Sequence, residues 1–439
     1  MSRCGANVTP AKGFGGEKRE VEQTEPPSLP DVRVPAAWTF AGLAAGLTAG
    51  LALAGSAVLD VALSVAQPLG ALWLRALQMT ILPLVTALLF TGIVNTVAAA
   101  SAGAMARRTL ALFASLLAVG AIMAVLAVPL LLEVAPVPAA AANVLSGAGA
   151  AANAAPAGPL PGPGDFLRSL IPANVVEAAA QGAMLPVIAF TALFALAATR
   201  LADAPRRQLA GLAEAIAGAM MVVIGWVLAL APIGVFALAL DVAAKSGTAA
   251  IGALAHYIAV VSAIGAVVLI AAYALATGLA RQRLACFARA VLPAQAVAIS
   301  TQSSLASLPA MLAACRSLGL RDRSGEFVLP LAVALFRATS PAMNLAVAIY
   351  VAKLTGVELT PAALAAGVAV SLLTTLGSPS LPGTISFVTS IAPIALAMGV
   401  PIRPLALLVA VEMLPDIMRT LGNVTMDVAV TAVVDRRTD

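Results

Sequence analysis

The chain has 439 residues, of which 61% are hydrophobic and only 10% charged, with a net charge of +5. Soluble domains carry about 25% charged residues, and so few charges cannot coat a water-facing surface of this size. This excludes a soluble enzyme, a disordered regulator and a fibrous protein, and leaves an all-α polytopic membrane protein. Aromatics, at 4%, are too sparse for a β-barrel girdle or a base-stacking platform, so no nucleic-acid partner is expected. The bilayer is the first partner, and no nucleophile–base pair, metal cluster or nucleotide loop points to an enzyme or a cofactor. The three cysteines, Cys4, Cys286 and Cys315, form no C-x-x-C pair.

Residues 1–35 are polar and proline-containing, with Lys12, Glu17, Lys18, Arg19 and Glu20, and read as a disordered cytoplasmic tail. Apolar stretches long enough to cross a membrane follow at about 36–60, 67–100, 106–132, 173–199, 208–240 and 246–280. An Ala/Gly/Pro-rich stretch at about 136–164, without Lys or Arg, interrupts them. Two later segments, about 285–319 and 361–400, are broken by small polar residues and proline. Each is followed by a continuous span, about 324–352 and 402–434.

Basic residues set the orientation. Arg107 and Arg108, Arg200 with Arg206 and Arg207, Arg281 with Arg283 and Arg289, Arg316 with Arg321 and Arg323, and the terminal Arg436 and Arg437 fall on one side if each broken segment enters and leaves from the same side. Excess Lys and Arg mark the cytoplasmic face, so both termini are expected there, in the inner membrane. The broken segments resemble each other: Ser300 to Pro309 (STQSSLASLP) and Thr374 to Thr384 (TTLGSPSLPGT) each hold Ser-Leu-Pro at the break. Paired interruptions in two parts of a transporter point to its binding site, because irregular backbone at membrane depth needs a protein or water cavity. Two kinked, tightly packed helices are the plainer alternative. His256, the lone histidine, is expected to be a satisfied packing residue rather than a proton shuttle.

The last span carries Glu412, Asp416, Arg419, Asn423 and Asp427, three or four residues apart. At about 100° per residue they share roughly 80° of arc, one polar stripe on an apolar helix. Each ionisable group at this depth costs ~2.5 kcal/mol or more and needs partners or water. Asp416 and Arg419 are spaced to neutralise each other, but such a pair leaves Glu412 and Asp427 unexplained. A carboxylate and a guanidinium one turn apart suit an acidic zwitterion: one takes the ammonium, the other grips a carboxylate. Thr420 and Asn423 can add neutral hydrogen bonds.

From about residue 40 to 435 the chain resembles the glutamate transporter family, the dicarboxylate/amino acid:cation symporters. Asp416 to Asp427 (DIMRTLGNVTMD) is similar to the family's D-x-x-R-T-x-x-N-V-x-x-D tract. Leu230 to Ala237 (LAPIGVFA), Leu82 to Val85 (LPLV) and Asn174 to Ile188 resemble further family stretches, and the two broken segments resemble its hairpin tips. The resemblance implies eight transmembrane spans plus two re-entrant helical hairpins, in an elevator-type homotrimer. A scaffold would be drawn mainly from about 36–100 and 136–243, and a moving transport part from about 106–135 and 246–435. It implies that Arg419 holds the substrate's side-chain carboxylate and Asp416 its amino group. Ser303, Ser304, Ser378, Pro382, Gly383, Thr420 and Asn423 would complete the substrate site. An Asp at position 416 favours an acidic amino acid over an amine-free dicarboxylate.

The chain departs from the family in its cation chemistry. Where the family has N-M-D-G-T, residues 336–340 read FRATS, so its sodium-ligating Asn and Asp become Phe336 and Ala338. Neither offers a side-chain oxygen, and the third span lacks the family's tyrosine. The hairpin's third serine is Leu305, and the last-span acid, usually Asp, is Glu412. Candidates for cation coupling are therefore Arg337, Glu412, Asn423 and Asp427, with sodium or a proton as the coupling ion. Arg337 could balance Asp427 or Glu412 in place of a bound cation. The expected function is secondary active transport of an acidic amino acid. A C4-dicarboxylate symporter or exchanger is the alternative within the class, and an anion channel or substrate-sensing membrane protein the alternative outside it.

Overall fold

The computed structural model describes residues 36–101, 103–138, 171–246, 249–377 and 383–436. The N-terminal tail, most of the Ala/Gly/Pro-rich stretch, and Ser378 and Pro382 lie outside the described residues, which contain helices and no strands. Seven of the described helical stretches are long and apolar enough to cross a membrane.

Helix α1 (Ala36–Leu53) leads into α2 (Ala57–Ser101) and α3 (Ala104–Val134). Then come α4 (Val175–Ala180), α5 (Met184–Ala198), α6 (Asp203–Ala229), α7 (Ala231–Ser246) and α8 (Ala249–Gly278). The stretch read as one span at 208–240 is thus two helices, parted at Leu230. Pro232, lacking an N–H, sits in the first turn of α7, where none is needed. Helix α2, 45 residues long, would measure about 68 Å at 1.5 Å per residue, well over a bilayer core, and it keeps Pro68 and Pro83 inside.

The first hairpin is α9 (Leu284–Thr301) and α10 (Leu308–Ser317), packed side by side, turning through Gln302 at φ +50°. Helices α11 (Asp322–Leu335) and α12 (Ser340–Leu354) form one span interrupted at 336–339. The second hairpin is α13 (Pro361–Gly377) against α14 (Gly383–Ala397). A short α15 (Leu405–Leu408), a 3-10 turn (Val409–Val411) and α16 (Met413–Arg436) close the chain.

Helices α1, α5, α6 and α7 pack on or around α2 and one another, while α8 to α11 pack against α16, and α12 packs against α3 and α8. The α1–α7 seam is the tightest. Gly42, Gly46 and Gly50 recur every four residues, and a Cβ on them would lie 2.3, 2.4 and 2.6 Å from the carbonyl oxygens of Pro232, Phe236 and Leu240. Only glycine permits that approach, the usual solution where apolar burial alone cannot hold helices together in lipid. Helix α3 turns Val119, Ile122, Leu126 and Leu130 outward, as a lipid-facing helix does. Helices α12 and α16 are buried along almost their whole length. Polar residues on α16 therefore face protein, not lipid.

Candidate functional site

The site forms where α16 begins. Its first turn follows the 3-10 segment, and Glu412 stands just before the helix, its carbonyl accepting the Asp416 N–H at 2.9 Å. Asp416, Arg419, Thr420, Asn423 and Asp427 follow on the helix, all buried. The Gln302 side chain at the first hairpin's tip donates to the Met413 carbonyl at 3.3 Å, bringing that tip to the mouth of α16.

Arg419 has a partner at each of its three nitrogens. Its Nη2 donates to Glu412 Oε1 at 2.8 Å, its Nη1 to Asn344 Oδ1 at 2.8 Å, and its Nε lies 3.3 Å from Asp416 Oδ1. Glu412 accepts a second bond, 3.0 Å, from the Tyr257 hydroxyl of α8. The spacing suggested an Asp416–Arg419 pair that leaves Glu412 over. The structure corrects this: Glu412 is the nearer carboxylate, on the same face two turns before Arg419 and bonded to it. Asp427 remains over. Its Oδ1 is buried and has no hydrogen-bond partner among the described residues.

Asn423 does not face the same opening as Asp416. Its Oδ1 accepts the Thr339 N–H at 2.9 Å and lies 2.9 Å from the Thr339 hydroxyl, so it caps the interruption between α11 and α12. Thr420 turns its hydroxyl back to the Asp416 carbonyl at 3.0 Å. Arg337, inside the interruption and buried, has φ of +20°, a strained value for a residue with a Cβ. Its charge acts on Asp416 and on Arg419. Along α16 and the interruption beside it, three buried carboxylates, Glu412, Asp416 and Asp427, stand against two buried guanidiniums, Arg337 and Arg419. When all are ionised, one negative charge is in excess.

Phe336, at the place of an expected sodium ligand, stacks on Phe113 of α3 with ring centroids 4.3 Å apart and planes 12° from parallel. Both rings are buried, and Ala338 beside them is also buried. An aromatic pair therefore occupies the place where the resemblance leads one to expect a cation ligand.

At the first hairpin, Ser303 is half-buried; its Oγ accepts the Ala306 N–H at 3.2 Å and its carbonyl accepts the Ser307 hydroxyl at 2.9 Å. Ser304 is also half-buried and Leu305 is exposed. Gly383 opens α14; Ser378 and Pro382 cannot be placed with the rest. The His256 Nε2–H donates to the Ala135 carbonyl at 3.0 Å, and Nδ1 lies 3.1 Å from the Tyr350 hydroxyl, so both ring nitrogens are engaged.

Tyr257, Asn344 and Phe113 went unnoticed in the sequence. Each lies in an apolar helix without a motif, and only packing brings it to the last span. One signal existed for Tyr257: it is one of three tyrosines and sits at mid-span, where a buried hydroxyl needs a partner.

A proton/sodium-glutamate symport protein of Bacillus subtilis (strain 168) is 26% identical over 399 residues, 88% of each chain. A proton/glutamate-aspartate symporter of Escherichia coli (strain K12) is 30% identical over 261 residues, 59% of each chain. A C4-dicarboxylate transport protein of Laribacter hongkongensis (strain HLHK9) is 28% identical over 276 residues, 62% of this chain and 61% of that one. Residues 36–437 match the sodium:dicarboxylate symporter family over most of the chain, and the protein is an integral membrane member of that family.

Proposed function

We propose that the protein is a secondary transporter that carries an acidic amino acid of the glutamate/aspartate class across the cytoplasmic membrane, coupled to a cation through an altered sodium site. The observation that carries this is the buried pairing of Arg419 with Asp416 at the mouth of α16, within reach of the first hairpin's tip. A planar guanidinium matches a carboxylate bidentately, and a nearby carboxylate matches an ammonium. Ser303, Ser304, Ser378, Pro382, Gly383 and Thr420 would close over the substrate, and Asn423 would hold the interrupted span in register beside it. The relatives named for glutamate, and for glutamate and aspartate, support the substrate class. Relatives named for C4-dicarboxylates keep that substrate as the competing reading, which Asp416 disfavours because an amine-free dicarboxylate has nothing to offer it.

The packing of α1, α5, α6 and α7 around α2 supports a scaffold, and the packing of α8 to α11 against α16, with α12 on α3 and α8, supports a separate transport part. A homotrimer in the inner membrane with cytoplasmic termini is the assembly this division suits. The Phe113–Phe336 stack supports weak dependence on sodium, with protons or exchange as the drive. The test is uptake of labelled aspartate and succinate into proteoliposomes, with sodium and proton gradients imposed separately. Uptake of aspartate in preference to succinate, persisting when choline replaces sodium, is the expected result. Strict sodium dependence with more than one ion per substrate would overturn the altered-site reading. Preference for succinate would overturn the amino-acid reading.

A further inference from the structure

Arg337 and Arg419 are the two buried basic residues among the described residues. The interruption that carries Arg337 is seated on α16 at Arg419 itself. The Thr339 hydroxyl lies 3.2 Å from the Arg419 carbonyl, and Asn344 in the first turns of α12 accepts from the Arg419 guanidinium at 2.8 Å. The charge of Arg337 acts on both Asp416 and Arg419. We propose that Arg337 is a second carboxylate anchor, which takes the α-carboxylate of the bound amino acid while Arg419 takes the side-chain carboxylate and Asp416 the ammonium. This rests on the reading of Arg419 and Asp416 as substrate-binding groups.

Three observations favour a ligand for Arg337 over a counter-ion role alone. Arg419 cannot serve two incoming carboxylates. Its nitrogens already meet Glu412, Asp416 and Asn344, which leaves one N–H on each terminal nitrogen, a match for a single carboxylate. An acidic amino acid brings two, and a buried carboxylate without a partner is costly. Secondly, the acids at the mouth have a cation before Arg337 is counted: Glu412 lies 2.8 Å and Asp416 3.3 Å from Arg419. Thirdly, Arg337 keeps a φ of +20° although it carries a Cβ and a charge that is expensive to bury. Backbone strain of this kind persists where the surroundings hold it, and it gathers at ligand clamps.

The proposal narrows the ligand class. Two carboxylates are needed, one of them beside an ammonium. Alanine and serine leave Arg419 without a carboxylate, and so does asparagine, whose side chain ends in an amide. Isoasparagine, which is aspartate with its α-carboxylate turned into an amide, leaves Arg337 unmatched instead. The two amides therefore report on the two guanidiniums separately.

Binding of aspartate, isoasparagine and asparagine to the purified full-length protein would be measured by calorimetry at neutral pH, for the wild type and Arg337→Gln. In the wild type both amides should bind about ten- to hundredfold more weakly than aspartate. Arg337→Gln should weaken aspartate by a similar factor and hold isoasparagine about as well as aspartate, while asparagine stays as far behind aspartate as before. One common loss for all three ligands would mean a structural or counter-ion role and overturns the proposal. Lost discrimination against asparagine, with that against isoasparagine kept, overturns it too. Should Arg337→Gln fail to fold, Arg337→Lys, which keeps the charge without the planar fork, is read in the same way. Wild type that binds isoasparagine as tightly as aspartate overturns the proposal without any variant. If the wild type binds succinate and not aspartate, the amino-acid reading fails, and the anchor is judged from succinate against succinamate. Arg337→Gln should narrow that gap, and an unchanged gap overturns the anchor. Binding of none of these ligands overturns both readings.

Discussion

The two ends of the polar stripe on α16 solve the same problem in opposite ways. At the mouth of the helix Glu412, Asp416 and Arg419 are tied to one another and to Asn344 and Tyr257. Two turns further in, Asp427 has a buried oxygen without a partner. Buried charges persist when they are paired and bonded, and a lone one is tolerated where something else is to meet it. The mouth is thus internally bonded, while the inner end keeps a buried carboxylate oxygen without a partner among the described residues. The difference teaches that one helix can hold bonded and unbonded carboxylates at different depths.

Breaking the mouth should have the largest effect. Arg419→Ala would leave Glu412 and Asp416 without their cation, costing about 3–5 kcal/mol of stability and abolishing binding of aspartate and glutamate. Thermal unfolding and calorimetry of the purified protein check the two parts. Next in size, Phe336→Ala empties half of the aromatic stack and should destabilise the protein by about 3–5 kcal/mol without abolishing binding, again read by thermal unfolding against the binding isotherm. Asp416→Ala sharpens the comparison within the mouth. Ligands with an amino group should weaken by about tenfold or more, while succinate is spared. Equal binding of aspartate by variant and parent would show that Asp416 does not take the ammonium.

At the inner end, Asp427→Asn should change which cation gradient drives uptake while leaving substrate affinity within a few fold, measured in proteoliposomes under separate gradients. The smallest expected effect is at the hairpin. A cysteine at Ser303 should be labelled by a small aqueous thiol reagent and protected by excess substrate, whereas a packed kink would show no protection.

Much of this was legible because polar residues are conspicuous in apolar sequence. The stripe on α16, the first hairpin around Gln302 and the interruption at 336–339 each announce themselves through charge, Ser/Pro clusters or a missing oxygen ligand. The pairing of Glu412 with Arg419 was not legible. Helical spacing gives neighbours at three and four residues, and this contact spans seven, two turns bridged by two long side chains. Tyr257, Asn344 and Phe113 could not be assigned either. Their partners lie far away in sequence, and an apolar helix surrounded by lipid and protein gives no periodic signal of which face meets which neighbour. The split at Leu230 was available in principle, since Pro232 marks a first turn, but a 33-residue apolar run hides a break that costs no polarity.

The stack of Phe113 on Phe336 also bears on the mutational routes open to the chain. Replacing Phe336 with the asparagine that the family resemblance leads one to expect would leave a void against Phe113 and a buried amide with too few partners. Replacing Phe113 with a tyrosine first would bury a hydroxyl against a ring. Each step alone lowers stability, and only the two together, with Ala338 changed to an acid as well, could rebuild an oxygen-lined cage. Single substitutions at either ring therefore lead downhill in stability, and the stacked pair acts as a ratchet against changing one ring without the other.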